Sequence, residues 1–211
     1  MLLSGGIDSA TALYLTKKTR GVRALTFEYM GIAKSELAAA KAIASRAGVL
    51  EQRTVRLPDL KEAADIPGFR PAGLPPNYIP LRNSIFYAFA ASYAEETGAT
   101  YIVGGHNRED TEVFADVSPE FFGSLQRAFW NGSRILRRNR LKIARPLKRL
   151  KKPAVIRLGA SLGVPFELTW SCHRDSEEHC WVCDGCLTRQ RCFKEAGVID
   201  PLTASKWEKI T

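Results

Sequence analysis

No apolar run in this 211-residue chain approaches the roughly 18–20 residues that a membrane span needs, so no spanning helix is expected. The opening Met1-Leu2-Leu3-Ser4-Gly5-Gly6 has neither a basic n-region nor an apolar h-region. No signal peptide is expected from it, and the expected location is the cytoplasm. There is no internal repeat and no low-complexity tract. Nowhere does G-x-x-x-x-G-K-[ST] occur, which excludes a Walker-type phosphate loop. Cysteine is sparse, at five residues, and in such a chain these read as metal ligands or free thiols before disulfides. Acid is missing from one long stretch. Phe121 to Phe166 holds twelve Lys or Arg and no Asp or Glu, while the rest of the chain sets 19 basic residues against 22 acidic ones. The net charge of +9 is therefore a local feature, centred on Arg134 to Lys152. Such a stretch suits phosphates, nucleic acid or an anionic substrate, and equally a solvated face or an acidic partner subunit.

What is present is ordinary globular composition, 45% hydrophobic and 25% charged, at a length that suits one domain with at most a small appendage. Apolar, β-branched runs alternate with helical patterns, the signature of an α/β fold with a parallel sheet. A very short strand ends at Leu2-Leu3. Only Met1 to Leu3 precede the Gly-Gly loop, so either the sequence starts late or this strand is clipped, which would weaken the central sheet. Helices are expected at Asp8 to Lys18, Lys34 to Ala47 with Gly48 as the stop, Asn83 to Thr97 with Gly98 as the stop, Pro119 to Trp130, and Pro153 to Leu162. Ser118 suits the N-cap of the fourth of these, with Pro119 in its first turn. Strands are expected at Val22 to Tyr29, Gln52 to Leu57, Thr100 to Val103 and Leu141 to Ala144. Asp65 to Pro80, with five prolines and two glycines, reads as an ordered loop over the sheet edge.

Ser4-Gly5-Gly6-Ile7-Asp8-Ser9 lies between a strand end and a helix start. Two glycines admit an anion close to the backbone, the free N–H groups of the helix start point at it, and Ser4 and Ser9 add hydroxyls. An acid in the first turn repels phosphate, so Asp8 is expected to hold Mg²⁺. At the other end, Cys172, Cys180, Cys183 and Cys186 follow with spacings x7, x2 and x2. Four soft ligands at Cys-x2-Cys spacing suit a closed tetrahedral Zn²⁺ site, with iron–sulfur ligation as the rival. His173 and His179 are expected at the surface, and Cys192 as a packing residue on the following helix.

The hexapeptide resembles the S-G-G-x-D-S loop of the N-type ATP pyrophosphatases, or PP-loop enzymes. That superfamily includes GMP, asparagine, NAD and tRNA lysidine synthetases and tRNA thiolases. The resemblance implies ATP cleavage between the α and β phosphates, and an α/β fold of the adenine nucleotide alpha-hydrolase-like (Rossmann-like, HUP-type) kind. Adding Leu25-Thr26-Phe27-Glu28-Tyr29, Tyr78-Ile79-Pro80 with Arg82-Asn83, Gly105-x-Asn107-x-x-Asp110, Pro119-Glu120-Phe121, Leu168-Thr169-Trp170-Ser171-Cys172 and the other three cysteines, nearly the whole chain resembles the 7-cyano-7-deazaguanine synthase family.

That resemblance implies adenylation of 7-carboxy-7-deazaguanine, displacement of AMP by ammonia, and a second adenylation that turns the amide into the nitrile. It implies ATP, Mg²⁺ and Zn²⁺ as cofactors and a homodimer, with no membrane and no direct tRNA binding. The nucleotide-binding residues are expected to be Ser4, Gly5, Gly6, Ile7, Asp8 and Ser9, and the catalytic ones Asp8, Arg82, Asn107 and Asp110. Arg82, Asn83, Asp116 and Glu120 are expected to bind the substrate, with Asp116 and Glu120 on the amino-pyrimidinone edge. Two domains are expected, a PP-loop domain over 1–168 and a four-cysteine zinc segment over 169–211 packed on it.

The chain departs from the family pattern at Tyr29-Met30-Gly31-Ile32-Ala33 and between Asp110 and Phe121, where a family Cys and Arg are lost. Four other readings stay open: a PP-loop enzyme of the tRNA thiolase or lysidine synthetase type, an amide-forming relative that stops before the nitrile, a relative serving another deazapurine pathway, and a non-catalytic nucleotide-binding module.

Overall fold

The computed structural model describes residues 1–29, 32–58, 60 and 78–203. In chain order the elements are α1 (Ile7–Lys17), β1 (Arg23–Tyr29), α2 (Lys34–Ala47), β2 (Glu51–Leu57), α3 (Arg82–Thr97), β3 (Tyr101–Val103), α4 (Arg108–Val113), α5 (Pro119–Gly132), α6 (Arg134–Arg138), β4 (Lys142–Ala144), α7 (Lys152–Ser161) and α8 (Asp184–Ala196). Short 3₁₀ turns lie at Ala115–Val117 and Phe166–Leu168. The expected elements are present, most within one or two residues of their expected ends. α4 and α6 are additions too short to carry a periodic signal of their own. The loop expected at Asp65 to Pro80 lies outside the described residues up to position 77.

β1 pairs in parallel with β2, and β3 with β4. The first three residues join the two pairs. Leu3 N–H donates to Leu25 O at 2.8 Å and Leu25 N–H to Met1 O at 2.8 Å, while Leu2 N–H donates to Val103 O at 2.9 Å. The first strand is short, as expected: Leu2 forms an isolated bridge to Leu25, and the backbone bonds of residues 1–3 link the two pairs. The order across the sheet is β2, β1, residues 1–3, β3, β4, so the direction of winding reverses between residues 1–3 and β3. Open α/β sheets bind ligands at such a point, beyond the carboxyl ends of the strands.

Period-2 alternation sorts β1 between two cores. Ala24 faces the side built by α1, α2, α7 and α8, with Leu3, Ile43, Ile156 and Phe193. Leu25 and Phe27 face the side built by α3, α5 and α6, with Tyr87, Phe122 and Leu136. α2 ends as expected at Gly48, which takes a left-handed conformation at φ 60°. α5 starts as expected, with the Ser118 side chain accepting from Phe121 N–H and Pro119 in the first turn.

Candidate active site and metal centre

The Gly-Gly loop sits at the carboxyl end of residues 1–3 and runs directly into α1. Gly5 has φ +87°, and a Cβ there would lie 2.6 Å from Glu36 O and 2.7 Å from Ala40 N. The loop is therefore seated on the first two turns of α2, where Ala39 and Ala40 leave room for it. On the other flank a Cβ at Gly105 would lie 2.8 Å from Ser9 Cα, so the loop after β3 closes against the start of α1. Ser9 Oγ donates to Gly6 O at 3.0 Å and lies 3.1 Å from Ser4 Oγ, which shapes the cradle. Trp170 N–H donates to Gly5 O at 3.0 Å, so the cysteine-rich segment is tied to the same loop.

Asp8 is held by a residue that was not among the expected site residues. Lys152 Nζ, at the first position of α7, donates to Asp8 Oδ2 at 2.6 Å. Burial works against this ammonium, but the Asp8 and Asp110 carboxylates outweigh it and hold its pKa above the ordinary lysine value. Asp8 Oδ1 is buried and has no hydrogen-bond partner among the described residues. The one sequence signal for Lys152 was its place at the end of the basic stretch Arg134 to Lys152, which suits phosphates, and nothing in that position pointed to Asp8.

Ser4, Asp8 and Ser9 open into a cavity of about 290 Å³ that also takes in Arg82, Asn83 and Asp110. Its walls are aromatic. Phe27 and Phe86 stack at 4.1 Å and 8°, and Phe114 and Tyr29 also line it. Arg82 lies 5.9 Å from the Phe86 ring centre, and its Nη1 donates to Tyr29 Oη at 3.3 Å. Asn107 and Asp110 form a reciprocal capping box at the start of α4. Asp110 N–H donates to Asn107 Oδ1 at 3.1 Å and Asn107 N–H to Asp110 Oδ2 at 3.0 Å. Burial, with the Asp8 carboxylate beside it, pushes Asp110 up to about 6, against the pull of the Asn107 N–H and Lys152. His106 also lines the cavity. Burial, with Arg145 and Arg82 nearby, lowers it to about 4, so its imidazole is neutral, and its Nε2 has no partner among the described residues.

The structure divides the residues expected at the substrate. Asp116 is buried, and its Oδ2 accepts from Asn83 N–H at 3.1 Å, which pins the start of α3 next to the cavity. Glu120 is exposed in the first turn of α5 and is not part of the cavity lining. An acid there offsets the helix dipole.

The four expected cysteines converge. All four Sγ atoms lie within 4.8 Å of one another. Cys180 and Cys186 are 3.9 Å apart, as are Cys172 and Cys183. Four thiolates at ~2.3 Å from one tetrahedral ion stand ~3.8 Å from each other, so the set fits a single ion. A cubane cluster carries each thiolate on the outside of a different iron and needs the sulfurs further apart. Cys192 is buried in the core between α7 and α8, as expected of a packing residue. His179 corrects the expectation of a surface position. It is 8% exposed, its Nε2 accepts from Ser171 N–H at 3.1 Å, and its ring lies 4.3 Å from Trp170 and 5.3 Å from Trp181. Nothing in its sequence neighbourhood marks that burial; the fold of the cysteine loop creates it. His173 is exposed, as expected.

Comparison with known proteins agrees with this geometry. Residues 1–197 match the family described as "Queuosine biosynthesis protein QueC". The chain is 37% identical to the 7-cyano-7-deazaguanine synthase of Thermoplasma acidophilum, over 98% of this chain and 92% of that protein. It is also 37% identical to the one from Nostoc punctiforme, over 96% and 97%. Among solved structures, NMN synthetase from Francisella tularensis shares the fold, with a TM-score of 0.56 at 19% identity over 97% of this chain and 79% of that one. The U34-tRNA thiolase NcsA from Methanococcus maripaludis, solved with its [4Fe-4S] cluster, gives a TM-score of 0.50 at 16% identity over 92% and 65%. These last two speak to fold alone. The family match, and relatives alike over almost their full lengths, place this chain in the QueC family of queuosine biosynthesis proteins.

Proposed function

We propose that the chain converts 7-carboxy-7-deazaguanine, ammonia and ATP into 7-cyano-7-deazaguanine, the product that its relatives' names state. The observation that carries this reading is the continuity of the site. The phosphate loop and the aromatic-walled cavity with Arg82 are one space, so an anion on the loop and a flat heterocycle between the rings would meet there.

The chemistry runs in two rounds. The carboxylate oxygen of the substrate attacks the α phosphorus of ATP and pyrophosphate leaves. Ammonia then attacks the acyl carbon, AMP leaves and a proton is lost, giving the amide. The amide oxygen attacks a second ATP. Loss of AMP and the remaining amide protons gives the nitrile. In this reading Ser4, Ser9 and the N–H groups at the start of α1 hold the departing pyrophosphate, with Gly5, Gly6 and Ile7 supplying the backbone. Lys152 and Arg82 offset the charge that builds on phosphate. Asp110, near pKa 6, takes the proton that ammonia gives up. Asn107 holds Asp110 in place, and Asn83 and Asp116 shape the entrance around Arg82.

The buried Asp8 Oδ1, without a partner among the described residues, fits Mg²⁺; Asp8 would hold the ion, which would supply positive charge to offset that of the phosphates. The set of four cysteines fits Zn²⁺ in a closed structural shell, fastening the segment from 169 onward onto the PP-loop domain of 1–168. We assign the protein to the cytoplasm and to a homodimer, and the exposed arginines Arg137, Arg138 and Arg140 to the dimer or the substrate rather than to tRNA. Among the described residues, no helix is long and apolar enough to cross a membrane.

Mass spectrometry of a reaction with 7-carboxy-7-deazaguanine, ATP and ammonium tests the reading, with nitrile, AMP and pyrophosphate expected. An amide end product, or release of ADP and phosphate, overturns it. So does a submicromolar tRNA complex at physiological salt that is lost when Arg137, Arg138 and Arg140 become Glu.

A further inference from the structure

We propose that Glu36 reads the substrate's amino-pyrimidinone edge, an inference that rests on the function proposed above. Three acids line the cavity: Asp8, Asp110 and Glu36. Asp8 is engaged by Lys152, and Asp110 by the Asn107 N–H. Asp116, expected at that edge, holds Asn83 N–H, and Glu120 lies outside the cavity. The Glu36 carboxylate alone among the three has no hydrogen-bond or ion-pair partner among the described residues.

Its place is fixed with respect to the loop. Gly5 packs directly on the Glu36 carbonyl, so the turn that carries this side chain cannot drift from the phosphate cradle. Around it stand the Phe27–Phe86 stack, Tyr29 and Ile32, which suit the faces of a flat bicyclic ring. Arg82 adds a cation close enough to favour the charged carboxylate. Burial nevertheless pushes Glu36 up to about 7, the mark of a carboxylate short of donors.

A 2-amino-pyrimidin-4-one edge supplies what is missing. Its ring N–H and exocyclic amine point the same way, and a carboxylate accepts both at once. Adenine offers one donor beside an acceptor on the equivalent edge, which an ionised carboxylate repels. Glu36 thereby separates the heterocycle to be activated from the nucleotide that activates it.

The experiment compares steady-state kinetics of the full-length, metal-loaded protein with those of E36Q, E36D and a phosphate-loop control. Glutamine keeps the volume but presents one acceptor and one donor. KM for 7-carboxy-7-deazaguanine is expected to rise at least ~10-fold in E36Q, with KM for ATP unchanged, and to recover partly in E36D. The analogue lacking the exocyclic amine should be a poor substrate for wild type and should lose little further in E36Q. A rise in the KM for ATP instead, or equal KM for the deazapurine in wild type and a folded E36Q, overturns the inference and leaves the proposed function standing. Wild-type protein that consumes no ATP with this acid overturns both.

Discussion

Lys152 Nζ lies 2.6 Å from Asp8 Oδ2, joining the first turns of α1 and α7 across 144 residues of sequence. The pair sits where the phosphate loop meets the cavity, with Asp110 close enough to influence both partners. One ammonium thus stands among two carboxylates at the place where ATP's phosphates are expected.

Removing that ammonium should end ATP cleavage without ending folding. Lys152→Met is expected to lower pyrophosphate release at least ~100-fold, the usual scale for loss of one preorganised group at a developing charge. Asp8→Asn should match it, because the amide neither pairs with Lys152 nor ligates Mg²⁺. Both should keep the metal of the four-cysteine centre and a cooperative melt. Activity within a few-fold of wild type would remove the pair from the mechanism.

The cysteine centre should hold one Zn²⁺ per chain. Structural zinc is worth about 10–16 kcal/mol in small finger peptides, comparable to the ~5–15 kcal/mol net stability of a whole domain. Serine at Cys172, Cys180, Cys183 or Cys186 is therefore expected to release metal and to unfold or aggregate the segment that follows Thr169. Cys192→Ser should retain one equivalent. Elemental analysis decides: iron in place of zinc, or metal loss in Cys192→Ser, is the contrary result.

Arg189 is fully buried and fixes the chain on both sides of this centre. Its Nε and Nη2 donate to Asp200 at 2.6 and 2.8 Å, Nη1 donates to Thr169 Oγ1 at 2.8 Å, and Nη2 also to Phe166 O at 3.0 Å. Asp200→Ala leaves a buried guanidinium without its counter-ion, which costs about 3–5 kcal/mol. Calorimetric or denaturant melts should show that loss, and a double replacement by apolar residues of similar volume should restore part of it. A cost below ~1 kcal/mol would mean that the pair contributes little.

Glu36 should couple stability to pH in the sense opposite to a salt-bridged acid. Its folded pKa, about 7, lies above the unfolded value of 4.5, so the folded state binds the proton more tightly. Stability from this group is present below pH ~4.5 and is lost as pH rises through 7. E36Q is therefore expected to be more stable than wild type at pH 8, by at most about 3 kcal/mol, and indistinguishable at pH 4. Parallel melts at the two pH values test the sign. A less stable E36Q at pH 8 would show that the carboxylate has a partner in the folded state.

Ser4 to Ser9 and the four cysteines were legible before any fold, because each is a local chemistry: a cradle within six residues, and a ligand set within fifteen. The alternation of β1 and the apolar periods of the helices determined the α/β class for the same reason, since each repeats within a few residues. Lys152, Glu36 and His179 were not legible. A lysine, a glutamate and a histidine are by default solvated residues, and only packing converts them. Seating Gly5 on α2 turns Glu36 into the cavity, and bringing α7 beside α1 sets Lys152 on Asp8. Folding the cysteine loop over Trp170 buries His179. Asn107 and Asp110 stood where the motif put them, but that each caps the other required the backbone to turn into α4. Local patterns determined the elements and the ligand types. Desolvation and pairing across long sequence separations, which exist only in the tertiary structure, decided which charges act together.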